Sequence, residues 1–247
     1  MSVPPGGAVA AELKSGTTIS VIIPCWNDAV ALAGTLRKLR TLCGIDEVIV
    51  ADASHGGECR AVAEDAGARV AACVRPNRGA QMNRGAALAG SAALLFHHAD
   101  SDLQQAHVHS LRCALEDPEL IGGAFHRKFD DRHPRFRWLE RIGRFLADRG
   151  GTLYGDQSMF VRRPVFERMG GFAEIPLMED IEFSRRLRRA GRTAVLDPPL
   201  ASSPRHHVRR GALRTSLRNG TMIALYRLGY PPEKLHAWYY GETAVAE

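Results

Sequence analysis

The segment TISVIIP, residues 18–24, is a short β-branched run that ends at proline, and this predicts a buried strand. Three similar runs follow at EVIVA (residues 47–51), residues 69–74 and ALLFH (residues 93–97). Helical patterns separate them at residues 29–42, 58–66 and 81–91. Strands separated by helices of this length predict right-handed βαβ units and a parallel sheet.

The second half of the chain has a less regular pattern. We predict helices at residues 103–115, 138–149, 179–189 and 213–228, and strands at 121–128, 157–161 and 193–196. A glycine-rich loop is predicted at residues 150–156. The expected organisation is one α/β domain over residues 17–230, after a lead-in at 1–16 and before a tail at 231–247.

The composition is that of an ordinary globular enzyme. Of 247 residues, 45% are hydrophobic and 24% charged, and no apolar stretch approaches the ~20 residues that span a bilayer. Residues 1–16 lack a basic flank leading into an apolar block, so we interpret them as a disordered lead-in rather than a signal peptide. The five cysteines are odd in number and include no C-x-x-C pair. This argues against a disulfide framework or a zinc knuckle and indicates a reducing cytoplasm.

Positive charge is concentrated late in the chain. The net charge is +6, and 29 of the 33 basic residues are arginine. Residues 185–227 contain 11 arginines and a single acid, Asp197. Such a sector suits phosphate groups, nucleic acid or an anionic membrane, although solvated surface explains about half of these residues equally well.

Parallel sheets bind ligands outside the carboxyl ends of their strands. Residues 97–102, HHADSD, follow the predicted strand at 93–97 directly. Asp100 and Asp102 can therefore bind Mg²⁺ or Mn²⁺ together with a diphosphate, or they can simply accept backbone hydrogen bonds in a polar turn. Spacing alone favours neither interpretation.

Three further motifs have two interpretations each. The acids of MEDIE, residues 178–182, suit a helix N-terminus, where the same field keeps a carboxylate ionised as a general base requires. Residues 155–157, GDQ, form either an ordinary turn or part of a site. Residues 76–85, with Arg78 and Arg84, form either a lip for an anionic ligand or solvated surface.

Seven motifs in one order resemble a bacterial family 2 glycosyltransferase with the GT-A fold, in particular a subgroup whose metal motif is His-Ala-Asp. They are SVIIPCWND (20–28), VIVADAS (48–54), RGAQMNRGAALA (78–89), FHHADSDL (96–103), GDQSMFVRR (155–163), GGF (170–172) and PLMEDIEFSRRLRRAGR (176–192). The resemblance covers about residues 18–227. It implies a single Rossmann-like α/β domain with a mostly parallel central sheet flanked by helices. It also implies inverting, metal-assisted transfer of a hexose from a nucleotide-diphosphate sugar, with UDP-sugars favoured.

The resemblance also implies roles for individual residues. Asp180, next to Glu179, is the expected catalytic base. Asp100 is expected to bind Mn²⁺ or Mg²⁺ and the diphosphate. The acceptor is expected to border Gly155, Asp156 and Gln157. The residues expected to contact the nucleotide or its diphosphate are Pro24, Trp26, Asn27, Asp52, Arg78, Arg84, Arg205, Arg209 and Arg210.

One residue departs from the family's Asp-x-Asp motif, because His98 replaces its first acid. A neutral imidazole suits Mn²⁺, Zn²⁺ or Co²⁺ better than Mg²⁺. Three arrangements stay open: His98 joins the metal ligands, Asp102 substitutes, or Asp100 acts alone. His97, His206 and His207 are expected to be surface or supporting histidines.

Two other classes of function were weighed against glycosyl transfer. Sugar-1-phosphate nucleotidyltransferases share this kind of fold, but they hold the triphosphate with a glycine-rich basic loop, and residues 24–28, PCWND, contain neither glycine nor a basic residue. A basic module for nucleic acid lacks interleaved aromatic residues in the arginine-rich segment, so no nucleic-acid partner is expected. Peripheral contact with the inner membrane stays open for residues 213–230, where packing in the core is the preferred interpretation. The sequence does not identify the acceptor or the oligomeric state.

Overall fold

The computed structural model describes residues 16–99, 101–129, 144, 149–202 and 212–240. Its strands form one sheet in the order β3-β2-β1-β4-β7-β6-β8-β5. The strands are β1 (Ile19–Cys25), β2 (Glu47–Asp52), β3 (Arg69–Ala72), β4 (Ala93–Phe96), β5 (Ser101–Asp102), β6 (Leu120–Phe129), β7 (Phe160–Arg162) and β8 (Arg192–Ser202).

Helices flank the sheet. They are α1 (Ala29–Leu39), α2 (Glu58–Asp65), α3 (Arg78–Leu88), α4 (Gln105–Leu115), α5 (Arg163–Arg168), α6 (Glu179–Ala190), α7 (Ala212–Arg227) and α8 (Pro232–Tyr240). A short 3₁₀ helix spans Gly155–Gln157. No described helix combines the length and the apolar character needed to cross a membrane.

The predicted α/β domain with a mostly parallel sheet is confirmed. Strands β3, β2, β1 and β4 are parallel neighbours, and β6 pairs in parallel with β8. Strand β7 is antiparallel to both β4 and β6, and it joins the two parallel groups. The carboxyl ends of β1 and β2 lie side by side, because Cys25 is in register with Asp52.

Two apolar layers bury the faces of the sheet. Val21 and Ile23 of β1 pack in the layer that contains Leu32 and Leu36 of α1. Ile22, on the opposite face, packs in the layer that contains Met82 of α3 and Phe183 of α6. Side chains alternate between the faces of a strand, so a continuous apolar run is needed where both faces are covered. This explains why β1 has no polar position in its centre.

The region of residues 150–162 differs from the prediction. The predicted strand at 157–161 begins instead at Phe160, because Gly155–Gln157 turns as a 3₁₀ helix and Ser158 adopts a left-handed φ of 49°. The strand predicted at 193–196 extends over Arg192–Ser202, where it pairs with β6 and β5. The predicted helix at 138–149 and the predicted lead-in lie almost entirely outside the described residues.

The predicted C-terminal tail contains the helix α8. Leu235 of α8 is fully buried and packs in a cluster with Met178, Ile181 and Met222. Helix α7 ends at Arg227, shortly before Gly229 with its left-handed φ of 88°, and Pro232 begins α8, since proline is well tolerated in a first helical turn. The boundary predicted at residue 230 therefore falls inside a helical hairpin, and residues 241–247 lie outside the described part.

Candidate active site

The first group of predicted site residues lies at the carboxyl ends of β1 and β2. Asp52 is buried, and its Oδ1 accepts a hydrogen bond from the Ser54 amide at 2.9 Å. The Ser54 hydroxyl accepts one from the Asn27 amide at 2.8 Å, which links the loop after β1 to the loop after β2. Pro24 is half-buried, and Trp26 beside it is exposed. These residues form one polar lip with an exposed aromatic ring.

A buried glutamine fixes α3 against this lip. Gln81 Nε2 donates to the backbone oxygens of Cys25 at 2.8 Å and of Ala51 at 2.9 Å. Arg78, in the first turn of the same helix, is thereby directed toward the site, while Arg84 lies exposed one and a half turns further along. Sequence reasoning missed Gln81, because a glutamine at a helix start gives no sign of the two strands it joins.

The second group centres on the start of α6. Met178 precedes the helix with a left-handed φ of 72°, which leaves Glu179 buried and Asp180 half-buried. Asp180 Oδ2 accepts from the Gly155 amide at 2.8 Å, and Oδ1 accepts from the Ile181 amide at 2.7 Å. The carboxylate is therefore held by two backbone donors from separate segments.

Arg78 joins the two groups. Its Nη1 lies 3.8 Å from Glu179 Oε1, and Glu179 is only 5% exposed whereas the arginine side chain is 53% exposed. The structure thus brings together Arg78, which precedes β4 in the chain, and the carboxylates of α6. The sequence alone did not predict this pairing.

Burial raises the pKa of both acids at this position. Loss of water, followed by the charge of Asp180, raises the pKa of Glu179 to about 7. Burial also raises the pKa of Asp180, while the hydrogen bond from Gly155 and the charge of Arg78 oppose the rise. Two adjacent carboxylates in little water resist carrying both charges, and Asp180 has the hydrogen bonds that favour its ionised form.

His98 lies on the other side of Gly155. A methyl group built on Gly155 would sit 3.2 Å from His98 Nε2 and 3.4 Å from Asp180 Oδ2, so both atoms face one point. Burial, then the charge of Arg78, lowers the pKa of His98 well below its usual range. A neutral imidazole nitrogen near a carboxylate is a donor set that suits a divalent transition-metal ion better than Mg²⁺. Asp100 lies outside the described residues.

Asp102, the alternative metal ligand, faces elsewhere. It ends β5 at the edge of the sheet, where its Oδ1 is 2.5 Å from Lys38 Nζ and its Oδ2 accepts from Gln104 Nε2 at 2.8 Å. The hydrogen bond from Lys38 lowers the pKa of Asp102. Both carboxylate oxygens are therefore engaged by neighbours on α1 and on the loop before α4.

The predicted acceptor residues divide into three kinds. Gly155 offers its amide to Asp180. Asp156 pairs with Arg127 Nη1 at 2.7 Å, and its Oδ1 is buried without a hydrogen-bond partner among the described residues. Gln157 is buried and its Oε1 accepts from the Tyr154 amide at 2.8 Å, so it stabilises the turn. Arg127 on β6 was not predicted from the sequence.

His97 is fully buried beneath this turn. Its Nδ1 lies 2.8 Å from the Ser158 hydroxyl, and burial lowers its pKa to about 4. This position is that of a supporting histidine rather than an exposed one. Ser158, Met178 and Asn27 are the described non-glycine residues with positive φ, and all three lie in loops that carry site residues.

The hairpin of α7 and α8 packs directly on the start of α6. Met178 and Ile181, which bracket the two acids, share an apolar cluster with Met222 and Leu235. Ile223 and Leu225 pack against the same cluster, in agreement with the preferred core-packing interpretation, whereas Leu228 is exposed. The predicted ligands Arg205, Arg209 and Arg210, and the histidines at 206 and 207, lie outside the described residues.

Comparisons with known proteins agree with this architecture. A profile of the family described as "Glycosyl transferase family 2" matches residues 20–170. The structure resembles a mannosyltransferase from Pyrobaculum calidifontis, solved with GDP-Man and Mn²⁺, at 17% identity and a TM-score of 0.66. That match covers 97% of this chain and 76% of the other.

A second similar structure is glucosyl-3-phosphoglycerate synthase from Mycobacterium tuberculosis, solved with Mn²⁺, UDP and glucosyl-3-phosphoglycerate. It has 21% identity and a TM-score of 0.59, with 94% of this chain and 88% of the other covered. A search of curated proteins finds no match. At these identities the structural likeness establishes the fold alone.

The fold and the profile together define a glycosyltransferase with a GT-A architecture. The matched residues make up more than half of the chain, and the chain belongs to glycosyl transferase family 2. The matched segment includes the strand ends with Asp52 and the GDQ turn. Glu179 and Asp180 lie beyond it, so their roles rest on the geometry of the site.

Proposed function

We propose that this protein is an inverting glycosyltransferase that transfers a hexose from a nucleotide-diphosphate sugar, with UDP-sugars favoured, to an acceptor hydroxyl. The observation that carries the proposal is the carboxylate of Asp180. Backbone amides of Gly155 and Ile181 hold it at 2.8 and 2.7 Å, beside His98 and the cationic side chain of Arg78.

The reaction proposed is a single displacement. The acceptor oxygen forms a bond to the anomeric carbon while the bond from that carbon to the diphosphate oxygen breaks, which inverts the configuration. Asp180 receives the proton of the acceptor hydroxyl. Its raised pKa makes it a stronger base than an exposed aspartate, and its two hydrogen bonds orient both carboxylate oxygens, each of which keeps a lone pair for the acceptor hydroxyl.

Glu179 and Arg78 serve Asp180 in this proposal. Glu179 is buried and sits 3.8 Å from Arg78, so it positions the guanidinium between the acids and the nucleotide lip. Arg78 is then placed to contact the departing diphosphate, for which a planar guanidinium is well suited. Arg84, Arg209 and Arg210 are proposed as further diphosphate contacts from exposed or undescribed positions.

The donor nucleotide is proposed to occupy the lip at β1 and β2. Asp52 accepts a hydrogen bond from the imide of uracil, and Pro24, Trp26 and Asn27 contact the nucleoside. One of the two similar structures contains GDP-Man and the other contains UDP, and the preference for uracil is proposed from Asp52 alone.

His98 and Asp100 are proposed to hold a divalent ion, with Mn²⁺ favoured over Mg²⁺. The neutral imidazole of His98 and its approach to the point shared with Asp180 support this assignment. Such an ion supplies positive charge that stabilises the diphosphate as it leaves. Both similar structures were solved with Mn²⁺.

The acceptor is proposed to approach over the GDQ turn, past Asp156 and Arg127. Its identity is open, and so is contact with a lipid-linked acceptor at the membrane. All five cysteines are free, which supports a reducing cytoplasmic location.

A thermal-shift panel tests the donor assignment. UDP-, GDP- and dTDP-sugars are added with and without Mn²⁺, and the melting temperature is followed. A bound ligand raises the melting temperature by mass action. At a ligand concentration of a hundred times Kd, binding adds ~2.7 kcal/mol to the free energy of unfolding. We expect the largest rise with a UDP-sugar and Mn²⁺.

Asp52→Ala and Asp65→Ala form a matched pair for the same panel. Asp52 lies at the proposed base site, whereas Asp65 is an exposed acid at the end of α2. Loss of a hydrogen bond to a charged group costs about 1.5–3 kcal/mol, so Asp52→Ala should weaken UDP-sugar binding by roughly 10- to 100-fold. If UDP-sugars raised the melting temperature of both variants equally, Asp52 would not be the nucleobase contact. If no nucleotide sugar raised the melting temperature of the wild type, the proposed function would be contradicted.

A further inference from the structure

Two thiols lie close to the carboxylate of Asp52, the residue that is proposed to contact the nucleobase. Cys25 ends β1, Asp52 ends β2 and Cys59 lies in the first turn of α2. Their ligand atoms all lie within 4.8 Å of one another. In the part of the chain that the structure describes, no other set of three histidine, cysteine or acidic side chains comes together this closely.

The backbone holds these three side chains in place. Cys25 and Asp52 are register partners in neighbouring parallel strands, so their side chains leave the sheet on the same face. The Cys25 carbonyl accepts from the Ala53 amide at 3.0 Å and from Gln81 Nε2 at 2.8 Å. The group is therefore arranged before any ligand arrives.

All three side chains are buried, with exposed fractions of 3% for Cys25, 7% for Asp52 and 1% for Cys59. Buried thiols alone need no explanation, because cysteine packs well as a small apolar residue. The Asp52 carboxylate beside them is stabilised by the hydrogen bond that its Oδ1 accepts from the Ser54 amide, and it presents a carboxylate oxygen within 4.8 Å of both sulfur atoms.

We propose that Cys25, Asp52 and Cys59 form a binding site for a soft divalent cation of the Zn²⁺ or Cd²⁺ type. Two sulfur ligands and one carboxylate oxygen match the preferences of these ions, with a water molecule as the fourth ligand. Tetrahedral Zn²⁺ takes thiolates at about 2.3 Å, and small side-chain shifts bring ligand atoms from within 4.8 Å to that geometry.

Binding is written as an exchange of protons for the cation. Each thiol releases its proton to the buffer and forms a metal–sulfur bond, while the carboxylate donates an oxygen without proton loss. Because binding releases the thiol protons, the affinity should rise with pH. Mn²⁺ prefers oxygen ligands and is not expected to occupy this site.

The site shares Asp52 with the proposed nucleotide contact, and this part of the inference rests on the proposed function. A cation bound to Asp52 would occupy the carboxylate that is proposed to contact the uracil base. Zn²⁺ or Cd²⁺ should then compete with UDP, which is a mode of inhibition separate from any displacement of catalytic Mn²⁺.

A cadmium titration of the tag-free chain tests the site directly. The ultraviolet charge-transfer band of thiolate-bound Cd²⁺ is followed in a thiol-free reductant, in a Cys43→Ser, Cys113→Ser background that removes the two exposed thiols. We expect the band to saturate at one Cd²⁺ per chain. Addition of Cys25→Ser or Cys59→Ser should weaken binding at least about tenfold, whereas Cys73→Ser should leave it unchanged.

An unchanged titration in both the Cys25→Ser and Cys59→Ser variants would overturn the site, as would a band that disappears in the background lacking only Cys43 and Cys113. If either variant fails to fold, X-ray absorption of the Zn²⁺-loaded background chain decides the question. Two sulfur neighbours around zinc support the site, and none or one overturns it.

The sharing of Asp52 is tested separately with uridine, which carries the nucleobase but no diphosphate to chelate Cd²⁺ in solution. Saturating uridine should lower the apparent affinity for Cd²⁺, and an unchanged affinity would overturn the sharing. A chain that binds Cd²⁺ but shows no thermal shift with any nucleotide sugar would contradict the proposed function while the metal site stands.

Discussion

The proposed nucleotide lip (Pro24, Trp26, Asn27 and Asp52) and the proposed catalytic corner (Gly155, Glu179 and Asp180) present their side chains in different ways. Asp52 follows directly from β2, and its place is set by the register of two neighbouring parallel strands. Asp180 is oriented by the Gly155 amide, 25 residues earlier in the chain, and by a left-handed residue in front of its helix. The position of Asp52 at a strand end depends little on other loops, whereas the orientation of the Asp180 carboxylate depends on two separate segments. Mutations in the first region should therefore mainly change donor binding, and mutations in the second should mainly change kcat.

The largest expected effect is on the base. Asp180→Asn keeps the size of the side chain but cannot accept a proton at neutral pH, so kcat should fall by about 10²- to 10⁴-fold while Kd for the donor stays unchanged. The exposed Asp65→Asn should leave both constants unaltered. Near-normal transfer by Asp180→Asn, with donor binding intact, would eliminate Asp180 as the base.

The next effect concerns the buried acid beside it. Burial and the charge of Asp180 raise the pKa of Glu179 from 4.5 to about 7. Between these values the folded chain binds more protons than the unfolded chain, so Glu179 lowers the stability as pH rises through this window. Glu179→Gln cannot ionise, and its stability relative to the wild type should improve by on the order of 2 kcal/mol between about pH 5 and about pH 8.

Melting temperatures at the two pH values measure this change, and 1 kcal/mol corresponds to about 2–4 °C in a protein of this size. Glu119→Gln, at an exposed position, serves as the control. A difference between Glu179→Gln and the wild type that does not vary with pH would show that Glu179 is not held in its protonated form by burial.

A smaller effect is expected at Gly155, where the catalytic corner is most crowded. The added methyl group of Gly155→Ala would lie 3.2 Å from His98 Nε2, which forces the imidazole to shift by a few tenths of an ångström, and 3.4 Å from Asp180 Oδ2, which is an ordinary van der Waals contact. Misplacement of this size should lower kcat by about tenfold, with little change in donor affinity. Gly34→Ala is a matched control, because its methyl group meets nothing within 4 Å. Equal rates for the two variants would mean that the approach of His98 and Asp180 has no role in catalysis.

The smallest effect is expected at Asp102. Its pair with Lys38 is exposed, so Asp102→Asn should cost at most about 1 kcal/mol of stability and change the Mn²⁺ requirement less than about twofold. His98→Ala is the positive counterpart and should raise the Mn²⁺ concentration for half-maximal activity at least about tenfold. The reverse ranking, measured by Mn²⁺ titration of activity, would make Asp102 the metal ligand instead.

The difference between these two regions also explains which features could be predicted from the sequence. The runs at β1, β2 and β4 are apolar on both faces, which is why their positions and the parallel sheet followed from pattern alone. Asp52 was predicted because it directly follows such a run. The predicted ends of the elements were less exact. Helix α1 ends at Leu39, whereas the leucine pattern predicted a helix as far as residue 42.

The catalytic corner was predictable only as a set of motifs. Nothing in the sequence of the GDQ turn shows that Gly155 donates to Asp180 or that Asp156 pairs with Arg127. Helix α8 was missed because its single fully buried residue, Leu235, gives a weak pattern until the partner surface at Met178 is known. Contacts between distant segments set these features, and local spacing does not encode them.

The packing of α8 on Met178 has a consequence for how this enzyme can diversify. Met178 belongs to the apolar cluster under the hairpin and is also the residue whose left-handed turn precedes Glu179. Substitutions in α7 and α8 can therefore change the orientation of the two acids without altering the strands of the proposed nucleotide site. Selection acting on the C-terminal hairpin could change which acceptor is served while the donor stays the same.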